Sequence, residues 1–150
     1  MSINTPKYKD YIFVGVQLLL FAGYVVPFKL TTLNLPEWLR YSGLVLVVFG
    51  IILGVTALVQ INTKLSPFPT PVSNSKLLTN GAFGIARHPI YTALVLAGLG
   101  YAIHQESVLK ILVTGLLLIL FYFKSKYEEH LLSQKFPEYK QYQMKTRRFL

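Results

Sequence analysis

YSGLVLVVFGIILGVTALVQI, residues 41–61, is a run of 21 residues without one charged side chain. At ~1.5 Å of rise per residue, a run of that length crosses a ~30 Å hydrocarbon core as a single α-helix, which satisfies every backbone hydrogen bond inside the segment. Residues 11–28 form a second uncharged run, of 18 residues. Across residues 90–123 the only titratable side chains apart from tyrosines are His104, Glu106 and Lys110, gathered at the midpoint as a turn between two antiparallel helices requires. Carrying the first arm of this hairpin back to Phe83 and the second forward to Lys126 gives both a spanning length. The predicted fold is an all-α integral membrane protein of one domain, a bundle of about four transmembrane helices over residues 11–28, 41–61, 83–104 and 107–126. A cytosolic C-terminal helical tail over 127–150 follows, with apolar positions near helical spacing and a break near Pro137.

Composition supports the same class. Of 150 residues, 53% are hydrophobic and only 14% charged, and Lys and Arg outnumber Asp and Glu by 15 to 6. The basic residues flank or interrupt apolar runs rather than forming a solvated stripe, which suits an anionic lipid surface and argues against nucleic acid. The chain has no cysteine, so disulfides, thiolate metal sites and cysteine nucleophiles are excluded, and no metal site is expected. With four spans, twelve of the basic residues fall on the side that holds both termini and three on the other. The positive-inside rule then makes both termini cytoplasmic in a multi-pass protein. Lys7 and Lys9 resemble the basic start of a signal peptide, but no small-x-small cleavage site follows Val26-Pro27-Phe28-Lys29, so the first span reads as a retained anchor.

Three features concentrate polar chemistry at the cytosolic helix ends. Arg87-His88-Pro89-Ile90-Tyr91 places a cation, an imidazole and a phenol at a membrane helix end, where burial is costly unless each meets a partner or a ligand. Pro89 disfavours helical geometry at His88 and leaves carbonyls of the preceding turn free. The plainer alternative has Arg87 snorkelling to phosphate, His88 capping a helix and Tyr91 in the aromatic belt. Glu128 and Glu129 are adjacent and so point ~100° apart on a helix; one can face a pocket while the other pairs elsewhere, or both can pair with Lys124 and Lys126 on a solvated face. Gly98 and Gly100 within the third span read most simply as a close helix contact.

Together, Leu65-Ser66-Pro67-Phe68-Pro69-Thr70-Pro71, Leu77-Leu78-Thr79-Asn80-Gly81, Arg87-His88-Pro89-Ile90-Tyr91 and Glu128-Glu129-His130-Leu131-Leu132, followed by Phe136, Tyr139, Tyr142 and Arg148, resemble the isoprenylcysteine carboxyl methyltransferase family. The likeness is to its small bacterial members and to the related phospholipid methyltransferases. It implies a bacterial inner-membrane enzyme that uses S-adenosyl-L-methionine to methylate a lipophilic acceptor, a carboxylate or an amine, where membrane and cytosol meet. It further implies cofactor binding by Arg87, His88, Pro89, Tyr91, Gly98, Gly100, Glu128 and Glu129, catalytic roles for His88 and Arg148, and membrane lipids as partners. The chain departs from the family pattern at Gly81-Ala82-Phe83-Gly84, where many members read Gly-x-Tyr-Arg, and in ending at Leu150, where relatives usually continue through a proline. Two other classes stay open: a non-catalytic membrane protein derived from the family, and a relative of NADPH-dependent membrane reductases.

Overall fold

The computed structural model describes residues 6–28, 31–61, 66–71 and 75–150; Lys29, Leu65 and parts of the loop between residues 62 and 82 lie outside them. The described chain is all-α, in the order α1 (Tyr8–Val25), α2 (Glu37–Ile61), α3 (Ala82–Ile85), α4 (Pro89–His104), α5 (Val108–Lys135) and α6 (Tyr139–Lys145). Each boundary has a local cause. The Asp10 carboxylate accepts from the Lys7 amide at 3.0 Å and closes the first turn of α1. Ser107 caps α5 by accepting from the Lys110 amide at 3.3 Å. The α5 helix stops at Phe136, which is extended because Pro137 follows it.

Two helices, α2 with 25 residues and α5 with 28, are long and apolar enough to cross a membrane. The α2 helix buries only Gly43, Gly50, Leu53 and Ala57. Large side chains elsewhere on it, among them Trp38, Phe49 and Val59, are exposed, as are Leu112, Leu116, Ile119 and Phe123 of α5. Apolar faces of that extent on a single chain mark contact with lipid or protein rather than water.

The third helix predicted over 83–104 is two helices. Ala86 (φ −142°, ψ 146°) is extended, His88 (φ −122°, ψ 67°) is out of helical geometry, and Pro89 opens α4 at its first position, where its missing N–H is no loss. The 16 residues of α4 then span only ~24 Å. The fourth predicted helix, by contrast, runs on past Lys126 without interruption to Lys135, carrying Glu128 and Glu129 on regular helix.

The helices pack in the order α2, α4, α5, α1. Small residues let α2 and α4 approach closely: a Cβ on Gly50 would lie 2.8 Å from the Ala93 carbonyl oxygen and 2.9 Å from the Ala97 nitrogen, and one on Gly100 would lie 2.9 Å from Leu46 Cβ and the Val47 nitrogen. Between α5 and α1 the core is apolar, with Val113, Leu117 and Phe121 against Leu20, Phe21 and Tyr24. At one end of the bundle the Glu106 carbonyl accepts from Leu33 N at 2.9 Å and its carboxylate from Leu35 N at 2.8 Å, tying the α1–α2 connection to the α4–α5 turn. At the other end lie the start of α1, the end of α2, the start of α4 and the C-terminal part of α5.

The seam between α2 and α4 has a measurable consequence. Gly50→Leu and Gly100→Leu should each lower stability in detergent by about 1–3 kcal/mol through overpacking. Gly15→Leu, with nothing within 4 Å of its Cβ position, should leave the melting temperature unchanged. Equal effects at all three positions would remove the seam as a determinant of stability.

Candidate functional site

The break before α4 gathers the polar residues. Pro89 forces His88 out of helical geometry, so the imidazole enters the space between α4 and α5 rather than continuing a helix face. Its Nδ1 lies 3.6 Å from Glu128 Oε2 and its Nε2 3.2 Å from Glu129 Oε1. The ring stacks on Tyr91 at 5.4 Å between centroids, and Tyr91 stacks on Phe121 at 4.6 Å. The Tyr91 hydroxyl donates to Glu128 Oε2 at 3.0 Å.

The two adjacent glutamates divide. Glu129 is buried and receives Arg87 Nε at 3.0 Å, Arg148 Nε at 3.1 Å and Nη2 at 2.7 Å, and Gln143 Nε2 at 3.2 Å. Arg87 Nη1 donates in turn to the carbonyls of Gln143 at 2.9 Å and Thr146 at 2.7 Å. Backbone bonds from Arg87 N to Arg147 O (2.8 Å) and from His88 N to Arg148 O (3.1 Å) lay the C-terminal segment along the break. Glu129, Arg87 and Arg148 thus form a clasp joining α5, the α3–α4 break and the tail. The clasp holds Arg148 above the usual guanidinium range. Tyr142, whose hydroxyl donates to the Phe83 carbonyl at 2.5 Å, is pushed up to about 12 by burial.

Glu128, one residue earlier, lines a cavity of about 520 Å³ with Arg87, His88, Pro89 and Tyr91. The cavity's walls are largely apolar, from Phe68, Leu77, Leu78, Leu94, Leu132 and Phe136. That volume and that mixture of lining are typical of small-molecule sites. Tyr139 also lines it; its buried hydroxyl has no hydrogen-bond partner among the described residues, and burial raises its pKa well above the ordinary tyrosine value.

Of the site residues predicted from sequence, Arg87, His88, Pro89, Tyr91 and Glu128 meet at this cavity, while Glu129 and Arg148 meet behind it in the clasp. Gly98 and Gly100 lie elsewhere: Gly98 faces Thr114 on α5, and Gly100 faces Gly43 and Leu46 on α2. Both glycines sit at helix contacts, because the cavity closes one turn earlier on α4, at Leu94. Phe83 lines the cavity.

Four further residues come to the site without having been singled out as site residues. Lys124 is fully buried, donating to Gln17 Oε1 at 2.6 Å and to the Pro67 carbonyl at 2.8 Å. Asp10 is fully buried and accepts from the Thr70 hydroxyl, fixing the proline loop against α1. One signal was available for Lys124: it precedes Glu128 by four residues and therefore shares its helix face. For Asp10, Gln17 and Thr70 no local signal exists, since their contacts join segments 60 to 107 residues apart.

The sequence profile of phospholipid methyltransferases matches residues 38–139, from the beginning of α2 into α6. The match covers well over half of the chain, which therefore belongs to this family of membrane-associated methyltransferases. The family matched is the one the motifs indicate as the related group, not the isoprenylcysteine carboxyl methyltransferases indicated first. Arg148 and the first helix lie outside the match. No curated protein matches the chain.

The clasp predicts an asymmetry between the two glutamates. Glu129→Gln leaves two partly buried guanidinium groups without their counter-charge and should destabilise the fold by about 1.5–3 kcal/mol, the range of a lost charge-assisted hydrogen bond. Protease cleavage between residues 141 and 148 should then accelerate, whereas Glu128→Gln should leave the tail as protected as in the parent. Limited proteolysis followed by mass spectrometry checks this; identical cleavage of the two variants would refute the clasp.

Proposed function

We propose that the protein is an S-adenosyl-L-methionine-dependent methyltransferase acting on a lipophilic acceptor at the membrane–cytosol interface. The observation that carries the proposal is one cavity joining a polar end (His88, Tyr91, Glu128) to apolar walls, on a chain of the phospholipid methyltransferase family. The donor set suits the cofactor. The contacts of Glu128 with Tyr91 and His88 both fall on Oε2, leaving Oε1 for an amino group or a ribose diol, and the orphaned Tyr139 hydroxyl is a buried group that a ligand would satisfy.

The cofactor supplies, when bound, an electrophilic methyl on a sulfonium. The protein's part is to hold the two reactants in line and to exclude water. His88 is fixed in orientation by the two carboxylates and by stacking, so it presents one defined ring edge. A carboxylate acceptor needs no base, whereas an amine must lose a proton; both ring nitrogens of His88 face carboxylates, so the cavity-lining Glu128 carboxylate is the group placed to take it, with His88 holding it in position. Arg87 is committed to Glu129 and to two tail carbonyls, so its role is to position the His88 segment rather than to bind a cofactor carboxylate. Arg148 acts through the same clasp, where its guanidinium also lies over the Tyr122 ring at 5.2 Å, and so positions the His88 segment from behind the cavity.

The four-span topology belongs to the same proposal, with α1, α2, α4 and α5 crossing and the cavity facing the cytosol. Labels at residue 2 and after residue 150 should be cytosolic while one at Asn34 is not; termini on opposite sides would exclude it. The site is tested by titrating S-adenosylhomocysteine into purified protein. His88→Ala and Glu128→Gln should each weaken binding by ~1.5–3 kcal/mol, tenfold or more, the range of a lost charge-assisted hydrogen bond, with the melting temperature of the free protein little changed. Absence of binding in the parent protein points to a non-catalytic family member and ends the methyltransferase reading.

A further inference from the structure

We propose that Lys124 is the acceptor-binding residue of the cavity and that it receives a negatively charged oxygen on the head of an amphiphile. This rests on the methyltransferase reading above and adds the class of acceptor to it. The Lys124 side chain is 1% exposed, yet the residue lines the cavity one helical turn before Glu128, ~5.4 Å further along the axis toward the bundle interior.

Its surroundings are those of a cation awaiting a counter-charge. Both of its hydrogen bonds go to neutral oxygens, Gln17 Oε1 at 2.6 Å and the Pro67 carbonyl at 2.8 Å. Among the described residues no carboxylate lies within ion-pair distance of it. Glu128 and Asp10, the carboxylates that act on it from farther away, are engaged elsewhere: Glu128 with Tyr91 and His88, Asp10 with Thr70 and the Lys7 amide. The other cation lining the cavity, Arg87, is partly exposed and yet has Glu129 in contact. A buried ammonium without an anion is expensive, and an ammonium has three donors, of which two are used here. Its Nζ stands 5.3 Å from the centroid of the Tyr91 ring, so the ring that reaches Glu128 at its hydroxyl end also borders the ammonium.

The geometry therefore separates two poles along one face of α5. Glu128 marks the pole for the cationic cofactor, and Lys124 the pole for an anionic acceptor, with Tyr91 between them. The apolar walls at Phe68 and Leu94 receive the hydrocarbon part, which makes the ligand an amphiphile rather than a free anion. Carboxylate and phosphate heads share the chemistry that Lys124 recognises.

The test uses the full chain in a neutral detergent, with oleate, oleyl phosphate, oleyl alcohol and oleylamine as probes and S-adenosylhomocysteine titrated on the same samples. Oleate or oleyl phosphate should bind at least tenfold more tightly than the alcohol and the amine, and the better of the two names the head group. Lys124→Met should abolish that gap while leaving S-adenosylhomocysteine affinity intact. Lys124→Arg and the same charge loss at exposed Lys126, Lys126→Met, should preserve it. The proposal is overturned if the parent shows no preference, if the preference survives in Lys124→Met, or if that variant loses the alcohol and S-adenosylhomocysteine as well, which is the mark of a purely structural tether. Displacement of oleyl phosphate by inorganic phosphate at equal concentration overturns the amphiphilic class. A parent protein that prefers the anions but fails to bind S-adenosylhomocysteine keeps the Lys124 site and removes the methyltransferase reading.

Discussion

Glu129 is one carboxylate shared by two guanidinium groups, and most of what distinguishes this end of the molecule follows from it. Its oxygens accept from Arg87 on the α3–α4 break, from Arg148 near the chain end and from Gln143 in α6. Such a group cannot be buried alone; its desolvation is offset only when every lone pair is met, so the three partners are held as a set. Holding them fixes His88, whose amide bonds to the Arg148 carbonyl and whose ring lies between the two glutamates. The position of the imidazole is thus set largely from the tail side, through a clasp whose Glu129 and Arg148 stand off the cavity, while Glu128 lines it. Two neighbouring residues on one helix serve different purposes because ~100° of rotation separates them.

The helices carry this arrangement without needing a large core. Close approach of α2 and α4 along Gly43, Gly50, Gly100, Ala93 and Ala97 replaces side-chain interlocking with backbone contact, which is how helices associate where lipid already solvates apolar side chains. Hence α2 buries four residues and exposes most of its large ones. Beyond the seam, Gln60 at the end of α2 accepts from Ala82 N at 2.9 Å and donates to Asn80 O at 3.2 Å, docking α3 beneath the cavity. Gly81 makes that possible with φ of +58°, a conformation that would strain a larger residue, and with no Cβ to strike the Gln60 side chain.

Much of this was readable in the chain. Residues 41–61 announce α2 by length and charge alone, Pro89 announces a helix start, and Pro137 separates α5 from α6. The direction of error is informative too. Reading the third helix back to Phe83 gave hydrophobic length priority over Pro89, and the conformational restriction that proline places on its predecessor prevailed at His88. Read from the residues alone, Gly98 and Gly100 indicate a close helix contact, and both do meet helices; the cofactor role came only with the family resemblance. Lys124 looked like one half of an i, i+4 surface pair with Glu128. Only the packing of α1 across α5, which brings Gln17 and the proline loop over it, turns a solvated charge into a buried one.

Breaking the third helix at His88 is also what opens the cavity. An unbroken helix from 83 onward would carry its side chains past the cavity on a fixed ~100° rotation and would satisfy its own amides, leaving no reason for the tail to dock. Because the chain leaves helical geometry at Ala86 and His88, the Arg87 and His88 amides need acceptors, and the C-terminal segment supplies them in the Arg147 and Arg148 carbonyls. The tail then roofs a cavity whose floor is helix ends and whose sides are the apolar faces of α4 and α5. The missing turn of helix, rather than any single side chain, is therefore the feature that joins the clasp, the cavity and the helix bundle into one unit.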